Sequence, residues 1–526
     1  MFISGLSIYF LKESIQLILF SSTLIFIFII GYRVLTREFL FNQRHYSASK
    51  TLVYGAGSAG VQFVTATMQG NTFNVIGYVD DDENICNTSI HGRTVYPSKN
   101  IEKLVNKYGI QIIVLALPSA SRLERKEIID SLISLSVRVI TIPTFEELID
   151  GKQITQTENI SVEDLLGRDP VPPLDYYLKV PTEDKICLVT GAGGSIGSEL
   201  CKQISKCNPK QLILLDNSEP ALFNIEQDLI QNNFNNIVCY LGSVTDENLV
   251  EKIFTENKIN SIFHAAAYKH VPMVEANPMA GLINNVLGTK LVLESSASHG
   301  CQSFTLISSD KAVRPTNIMG ATKRIAEMYC QLAAKSSSNK MTISMVRFGN
   351  VLGSSGSVIP TFQKQIKRGG PLTVTHREIT RYFMTIDEAA QLVIQASGMA
   401  KTGDLFLLDM GTPVKIYDLA ERLIRLSGKT VKDNSENEKP GAIEIKITGL
   451  RSGEKLYEEL LVDANALETE HPKIMRAREQ CVSQKVLENG LKDLIDSLNK
   501  ENFSAFQTTL KSLVDGYMPP KYLKNE

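Results

Sequence analysis

The sequence predicts an α/β protein: two Rossmann-like, doubly wound parallel sheets, the second with a substrate-binding C-terminal lid, preceded by an N-terminal transmembrane helix. Three observations predict this. Glycine-rich turns at Gly55 and Gly191 each join an apolar strand to a helix, apolar strand-length runs then alternate with helix-length stretches, and an uncharged apolar run lies near the start. The 526 residues suffice for about three or four domains, each with its own core.

The apolar run covers nineteen residues, Ser14 to Tyr32. At about 1.5 Å per residue it nearly spans a hydrocarbon layer of about 30 Å. A cleaved signal peptide, a buried helix or a helix lying on the membrane surface would explain the same composition. Lys12 alone supplies positive charge before the run, and no A-x-A-like cleavage site follows it, which argues against a signal peptide. Arg33, Arg37, Arg44 and Lys50 lie beyond it against the single acid Glu38, so the rest of the chain is expected on the cytoplasmic side. The lipid bilayer is therefore one expected partner, held through this helix.

Charge excludes another partner. Lys+Arg 55 against Asp+Glu 57 leaves a formal charge of -2, with no basic field to hold a nucleic-acid backbone. The eight cysteines include no C-x-x-C pair and no histidine at ligand spacing, so reduced thiols are expected and no metal site is.

The first soluble unit opens with Leu52-Val53-Tyr54 and Gly55-Ala56-Gly57-Ser58-Ala59-Gly60, a G-x-G-x-x-G turn, and its second strand, Val75 to Val79, ends at Asp80. Ile110 to Leu117 and Val137 to Ile142 read as further strands, and Ser121 to Ser134 as a crossover helix. Such a turn equally suits a bound nucleotide or a structural strand-to-helix connection. The expected divisions are a membrane anchor at 1–45, a Rossmann-like domain at 46–150, a proline-bearing linker at 151–183, a catalytic domain with its substrate-binding part at 184–500, and a tail at 501–526.

The second unit opens with Ile186 to Thr190, followed by glycines at 191, 194 and 197 and a helix from about Ser198. A helix N-terminus after such a turn suits a pyrophosphate, contacted through Gly191, Gly194, Ser195, Ile196 and Gly197. Asp216 ends the next strand, Leu212 to Leu215, where an acid accepts hydrogen bonds from an adenosine ribose. No Arg or Lys stands in Asp216-Asn217-Ser218-Glu219 to receive a 2′-phosphate, which favours NAD while leaving NADP possible. Capping of the following helix is the alternative role for Asp216. Further strands are expected at Ile237 to Leu241, Ser261 to His264, Phe304 to Ile307 and Ile343 to Val346, with helices at Asp387 to Ala400 and Ile416 to Ser427 and a polar loop at Asn434 to Gly441.

Five blocks, Thr190 to Leu200, His264 to Pro272, Ser308 to Val313, Pro315 to Arg324 and Arg347 to Gly353, resemble the membrane-bound nucleotide-sugar 4,6-dehydratases of bacterial polysaccharide biosynthesis. That family lies in the extended short-chain dehydrogenase/reductase superfamily. The resemblance runs from about Tyr32 to about Arg478. It implies a catalytic part on the cytoplasmic side of the cell inner membrane, UDP-N-acetylglucosamine as substrate, further cofactor contacts at Ser243, Val244, Ala265 and Ala266, and assembly of like chains. Resembled proteins carry more membrane helices than this chain has room for; either these are lost here or Met1 is not the natural start.

The ordinary superfamily pair is Tyr-x-x-x-Lys. Lys323 is present, but Met319 stands at the tyrosine position, and a thioether cannot ionise. The chain is thus either a dead dehydrogenase or a dehydratase with its proton chemistry elsewhere, and the resembled subgroup also has methionine here. The resemblance implies Lys311 as base at the sugar C5 and Asp310 as general acid, with Ser309 or Ser308 assisting at the C4 hydroxyl; the two main roles could be exchanged or share one proton. Asp310 would hold the lysine protonated, whereas Lys323, the cofactor and desolvation would oppose this. Arg381 and Arg451 are expected on the diphosphate, with Asn350, Lys269, His270 and Glu454 also on the substrate. Ser309 replaces the family's usual threonine and Ser452 its usual proline. Two competing functions are a nucleotide-sugar 4-epimerase and a non-catalytic cofactor-binding scaffold.

Overall fold

The computed structural model describes residues 20–33, 36, 48–68, 72–143, 153–155, 157–167, 171–336, 340–354, 356–432, 441–459 and 466–519. Two compact units result, one of residues 1–167 with 425–429, the other of 168–424 with 430–526.

At the N-terminus, residues 20–33 are helical with exposed apolar side chains, Phe20, Ile25 and Phe28 among them. At about 1.5 Å per residue this stretch is shorter than a bilayer core, and among the described residues no helix is long and apolar enough to cross a membrane. The first six residues of the expected span, 14–19, lie outside the described residues, as does most of the expected loop from Asn434.

The first unit is a seven-stranded sheet centred on Ser49–Tyr54, with Phe73–Asp80 and Ile112–Leu115 parallel on either side. The glycine turn follows directly. Asp80 closes it by accepting the Ala56 N–H on Oδ2 at 2.7 Å. The crossover helix Arg122–Leu132 is started by a capping box in which Ser121 and Glu124 bond each other's backbone.

The second unit holds a nine-stranded sheet in the spatial order Ile237–Leu241, Gln211–Asp216, Ile186–Thr190, Ser261–His264, Ser303–Ile307, Thr342–Arg347, Asp404–Leu408, Ile474–Ala477, Leu467–Glu468. The first seven run parallel, and the chain reverses its direction of travel between Ile186–Thr190 and Ser261–His264. Thr190 pairs with His264, His264 with Leu306 and Leu306 with Met345. The strands therefore end at one level, and the loops after them open together at the carboxyl edge, where ligands of such sheets bind. All six strands anticipated here are present; the parallel strand Asp404–Leu408 and the two antiparallel ones after it are additional. Three two-stranded pairs follow the core strands: Asn350–Val351 with Phe383–Met384, Leu372–Val374 with Ile445–Ile447, and Thr380–Arg381 with Val414–Lys415.

Two expectations change. The helix after the second glycine turn starts at Ser195, earlier than Ser198, because Gly194 takes the N-cap. The stretch from 501, expected as a tail, instead forms the helix Phe503–Leu513, which packs with Gln484–Asn499 and buries Phe506, Leu510 and Leu513 in the main core. These residues recur at helical spacing, so burial of one apolar face drives the helix.

Gly197 is where helix and turn touch: a Cβ there would overlap the Gly191 carbonyl oxygen, and Gly191 itself has φ +66. A Gly197→Ala substitution should lower the stability of this unit by about 2–3 kcal/mol in a denaturant titration. Gly57→Ala, whose methyl meets no atom within 4 Å, should change stability by less than about 0.5 kcal/mol.

Candidate active site

The aligned strand ends of the second unit enclose a cavity of about 910 Å³. On one side its wall is the glycine turn: Gly191, Gly194, Ser195, Ile196 and Gly197, with Ala265 and Lys323. The helix Ser195–Ser205 begins there without a side-chain cap, leaving its N-terminal dipole directed at the cavity. The other side is lined by Lys269, His270, Ser308, Ser309, Lys311, Met319 and Asn350, and the outer wall by Arg381, Arg451, Glu454 and Glu458.

Five anticipated residues stand behind this lining. Asp310 is fully buried. Asp216 uses both oxygens on the turn, accepting the Gly193 N–H on Oδ2 and the Ser218 N–H on Oδ1, each at 2.8 Å. Its carboxylate thus fixes the turn, while the remaining lone pairs stay available to a ribose. Ser243 is bonded to Thr245 at 2.8 Å, and the Val244 side chain belongs to the main core. Ala266 packs against Gly191, where an added Cβ would lie 2.8 Å from the Ala266 Cα.

The proton-bearing groups are tightly grouped. Lys311 Nζ lies 3.0 Å from Asp310 Oδ1 and 3.2 Å from Asn350 Oδ1, and the Ser309 hydroxyl donates to the same Asp310 oxygen at 2.8 Å. Burial alone would lower the Lys311 amine, but Asp310 and Glu458 outweigh it and hold it above its ordinary value. The competition anticipated for this lysine is therefore won by the carboxyls. Lys323 is the opposite case. Burial pulls it down to about 8 against the opposing influence of Glu327, and its Nζ donates to the Ile307 carbonyl at 2.9 Å. Met319, only 2% exposed, is anchored in the core while reaching the cavity wall. Lys269 and His270 are both lowered by burial, and Lys269 lowers the histidine further.

Of the two arginines expected on the diphosphate, Arg381 has its guanidinium already engaged. Arg381 donates to Thr380 O at 2.7 Å and to Glu454 Oε1 at 3.2 Å, and its Nε lies 3.7 Å from Glu458 Oε1. Glu454 also accepts the backbone N–H of Arg451 at 3.2 Å, which ties the chain at Arg451 to the Arg381 guanidinium through one carboxylate.

Two features were not anticipated. One is Glu458, which lies in irregular chain and is brought to Lys311 only by the tertiary fold. The other is a buried ion cluster beneath Ser308. Arg347 binds Glu327 through Nε at 2.7 Å and NH2 at 2.6 Å, and Glu479 through NH1 and NH2 at 2.5 and 2.8 Å. Glu327 accepts in addition from the Ser308 hydroxyl at 2.6 Å. Burial would raise the Glu327 carboxyl, but Arg347 and Arg324 hold it below the ordinary carboxylate value.

Residues 187–479 match the family model described as "Polysaccharide biosynthesis protein". The chain belongs to this family. It is 41% identical to the capsular polysaccharide biosynthesis protein CapD of Staphylococcus aureus, over 94% of this chain and 81% of that one. It is 42% identical to the probable polysaccharide biosynthesis protein EpsC of Bacillus subtilis (strain 168), over 82% of this chain and 72% of that one. An X-ray structure of Pen from Bacillus thuringiensis aligns with a TM-score of 0.50 and 33% identity, covering 56% of this chain and 90% of that chain.

Arg347→Met leaves Glu327 and Glu479 without their bidentate partner and should cost about 3–5 kcal/mol in a denaturant titration. The Glu327 carboxyl is lower in the folded chain than in the unfolded one, so its contribution is present above the ordinary glutamate value and is lost as pH falls through the folded one. The penalty of the variant should accordingly shrink in acid.

Proposed function

We propose that the second unit converts UDP-N-acetylglucosamine to UDP-2-acetamido-2,6-dideoxy-4-hexulose by 4,6-dehydration, for bacterial cell-surface polysaccharide. The observation that carries this reading is the pairing of Met319, which cannot ionise, with a buried Asp310–Lys311–Ser309 group at the same cavity. A 4-epimerase of this superfamily relies on a tyrosine where Met319 stands. A scaffold has no use for two lysines tuned in opposite directions.

The residues fit a nicotinamide dinucleotide. The close glycine turn and the uncapped helix start at Ser195 suit its pyrophosphate, Asp216 suits the adenosine ribose, and Lys323 suits the nicotinamide ribose. When bound, the dinucleotide, NAD in preference to NADP, supplies removal of a hydride from the sugar C4 and its return at C6.

The chain's own groups handle protons. Ser309, bonded to Asp310, assists removal of the C4 hydroxyl proton, and the Asp310–Lys311 pair shares the base role at C5 and the acid role at the departing C6 hydroxyl. Because Lys311 is held protonated, the resting chain presents it as a donor, so it becomes a base only after giving a proton away. Asn350 orients the amine through its Oδ1. Arg381, Arg451, Lys269 and His270 bind the nucleotide diphosphate and sugar, with Arg381 released from Glu454 by the incoming phosphate. The N-terminal helix at residues 20–33 is read as part of an anchor in the inner membrane, with both sheet units in the cytoplasm.

Incubation with UDP-N-acetylglucosamine and NAD, followed by proton NMR, should show a new C6 methyl doublet and a hydrated 4-ketone. Formation of UDP-N-acetylgalactosamine would establish the epimerase instead, and an unchanged spectrum with UDP- and dTDP-hexoses alike would refute enzymatic action on them. Lys311→Ala should lower kcat by about 10²- to 10⁴-fold with a smaller effect on KM.

A further inference from the structure

Glu458 joins the proton-bearing group through Lys311 and Arg381. Its side chain is 4% exposed and lines the cavity, with Oε1 at 3.9 Å from Lys311 Nζ and 3.7 Å from Arg381 Nε. Its other oxygen, Oε2, is buried and has no hydrogen-bond partner among the described residues; the same holds for Oδ2 of Asp310. The Lys311 amine is thus held between two buried carboxyls, each with an unsatisfied oxygen. A buried, unpaired carboxylate oxygen is costly, whereas a protonated one carries less charge to desolvate.

Charged neighbours surround this carboxyl: Lys311, Arg381 and Lys455 on the positive side, and Asp310 on the negative side. Burial, then Asp310, push the Glu458 carboxyl up against Lys311, Arg381 and Lys455, which pull it down; the net direction is upward.

The geometry points to Glu458 as a third proton-holding group of this site, which carries a proton at rest and exchanges it with Lys311 so as to set the state in which that lysine meets the sugar. The inference rests on the dehydratase reading for its role in turnover. In that reaction C5 gives a proton to the Asp310–Lys311–Glu458 row and later regains one, and the C6 hydroxyl leaves as water with a proton from the row. The C4 hydroxyl proton replaces the one lost in water, and the hydride removed from C4 is restored at C6, so the row ends each cycle as it began. Glu458 acts through Lys311 and is a positioning residue, whereas Lys311 is the group that meets the substrate.

The test has two arms. In the first, difference infrared spectra of the full chain at neutral pH, without substrate, are compared between wild type and Glu458→Gln. A protonated-carboxyl C=O band present in wild type and missing in the variant supports the proposal; identical spectra overturn it. This arm does not depend on turnover, so a wild type inactive on every nucleotide sugar would sink the dehydratase reading while leaving the proton on Glu458 decided. In the second arm, Glu458→Gln should reduce kcat by about 10- to 100-fold with little change in KM. The limb of the pH–rate profile on which Lys311 loses its proton should move to lower pH by about one unit, because in wild type Glu458 has given up its own proton before that limb and its carboxylate then stabilises the ammonium, whereas glutamine stays neutral. Glu458→Asp should restore the wild-type profile in part. A variant that loses activity and thermal stability together with an unshifted profile would show a structural role only and would overturn the proposal.

Discussion

The buried pairing of Arg347 with Glu327 and Glu479 is the constraint on which the second unit depends. Arg347 and Glu327 are both 0% exposed and Glu479 8%. An isolated charge at such depth would cost several kcal/mol, so the three must be brought together whenever the unit folds. Arg347 ends a central strand, Glu327 lies in the helix Ile318–Lys335, and Glu479 comes after the antiparallel strand Ile474–Ala477. Arg324 extends the tie by donating to the Gln480 carbonyl at 2.7 Å. The cluster therefore fixes the sheet, the helix that carries Met319 and Lys323, and the returning C-terminal chain in one arrangement.

That constraint reaches the cavity by two routes. Glu327 holds the Ser308 hydroxyl, which ties Ser308 down and leaves Ser309 as the serine bonded to Asp310. Glu327 also lies one helical turn from Lys323 and opposes the effect of burial on it. Two lysines at one cavity are thus set apart: Lys323 sits near 8 because it is buried with limited compensation, and Lys311 sits above its ordinary value because carboxyls surround it. His264, bonded between Thr190 and Thr289, is pushed down to about 3 by burial and Lys323, so it remains neutral beside them. Charge in the cavity is concentrated on the Lys311 side.

How much of this the sequence discloses depends on the range of the interaction concerned. The parallel strands are legible because each is a short apolar run ended by a turn, and burial on both faces demands that composition. The glycine turns are legible because Gly191 and Gly197 must touch. The Asp310–Lys311–Ser309 group is legible because its members adjoin in the chain. Glu458 is not, since its meaning comes from an irregular segment that reaches Lys311 only in the folded chain, and the acids around it look alike in sequence. The engagement of Arg381 with Glu454, and of Arg347 with Glu327, is hidden for the same reason: a charged residue shows its sign in sequence but not its partner. The C-terminal helix was legible in principle, from the spacing of Phe503, Phe506, Leu510 and Leu513.

The two units also show why a local motif does not fix a function. Both glycine turns are latched by an acid at the end of the second strand, Asp80 on the Ala56 N–H at 2.7 Å and Asp216 on the Gly193 N–H at 2.8 Å. The backbone physics is the same: a carboxylate satisfies an amide that the turn would otherwise leave open. The residues beyond the acid differ. Asp216 leads into Asn217 and Ser218, whereas Asp80 leads into Asp81, Asp82 and Glu83. A dinucleotide brings negative phosphates and would meet a denser negative field at the first turn than at the second. The second unit adds the converging side chains of Lys311, Lys323 and Arg381 at the cavity, and it is these, rather than the turn, that distinguish the site. The glycine–acid latch is a device for building a strand-to-helix connection, and it becomes a cofactor site only where the surrounding charges allow one.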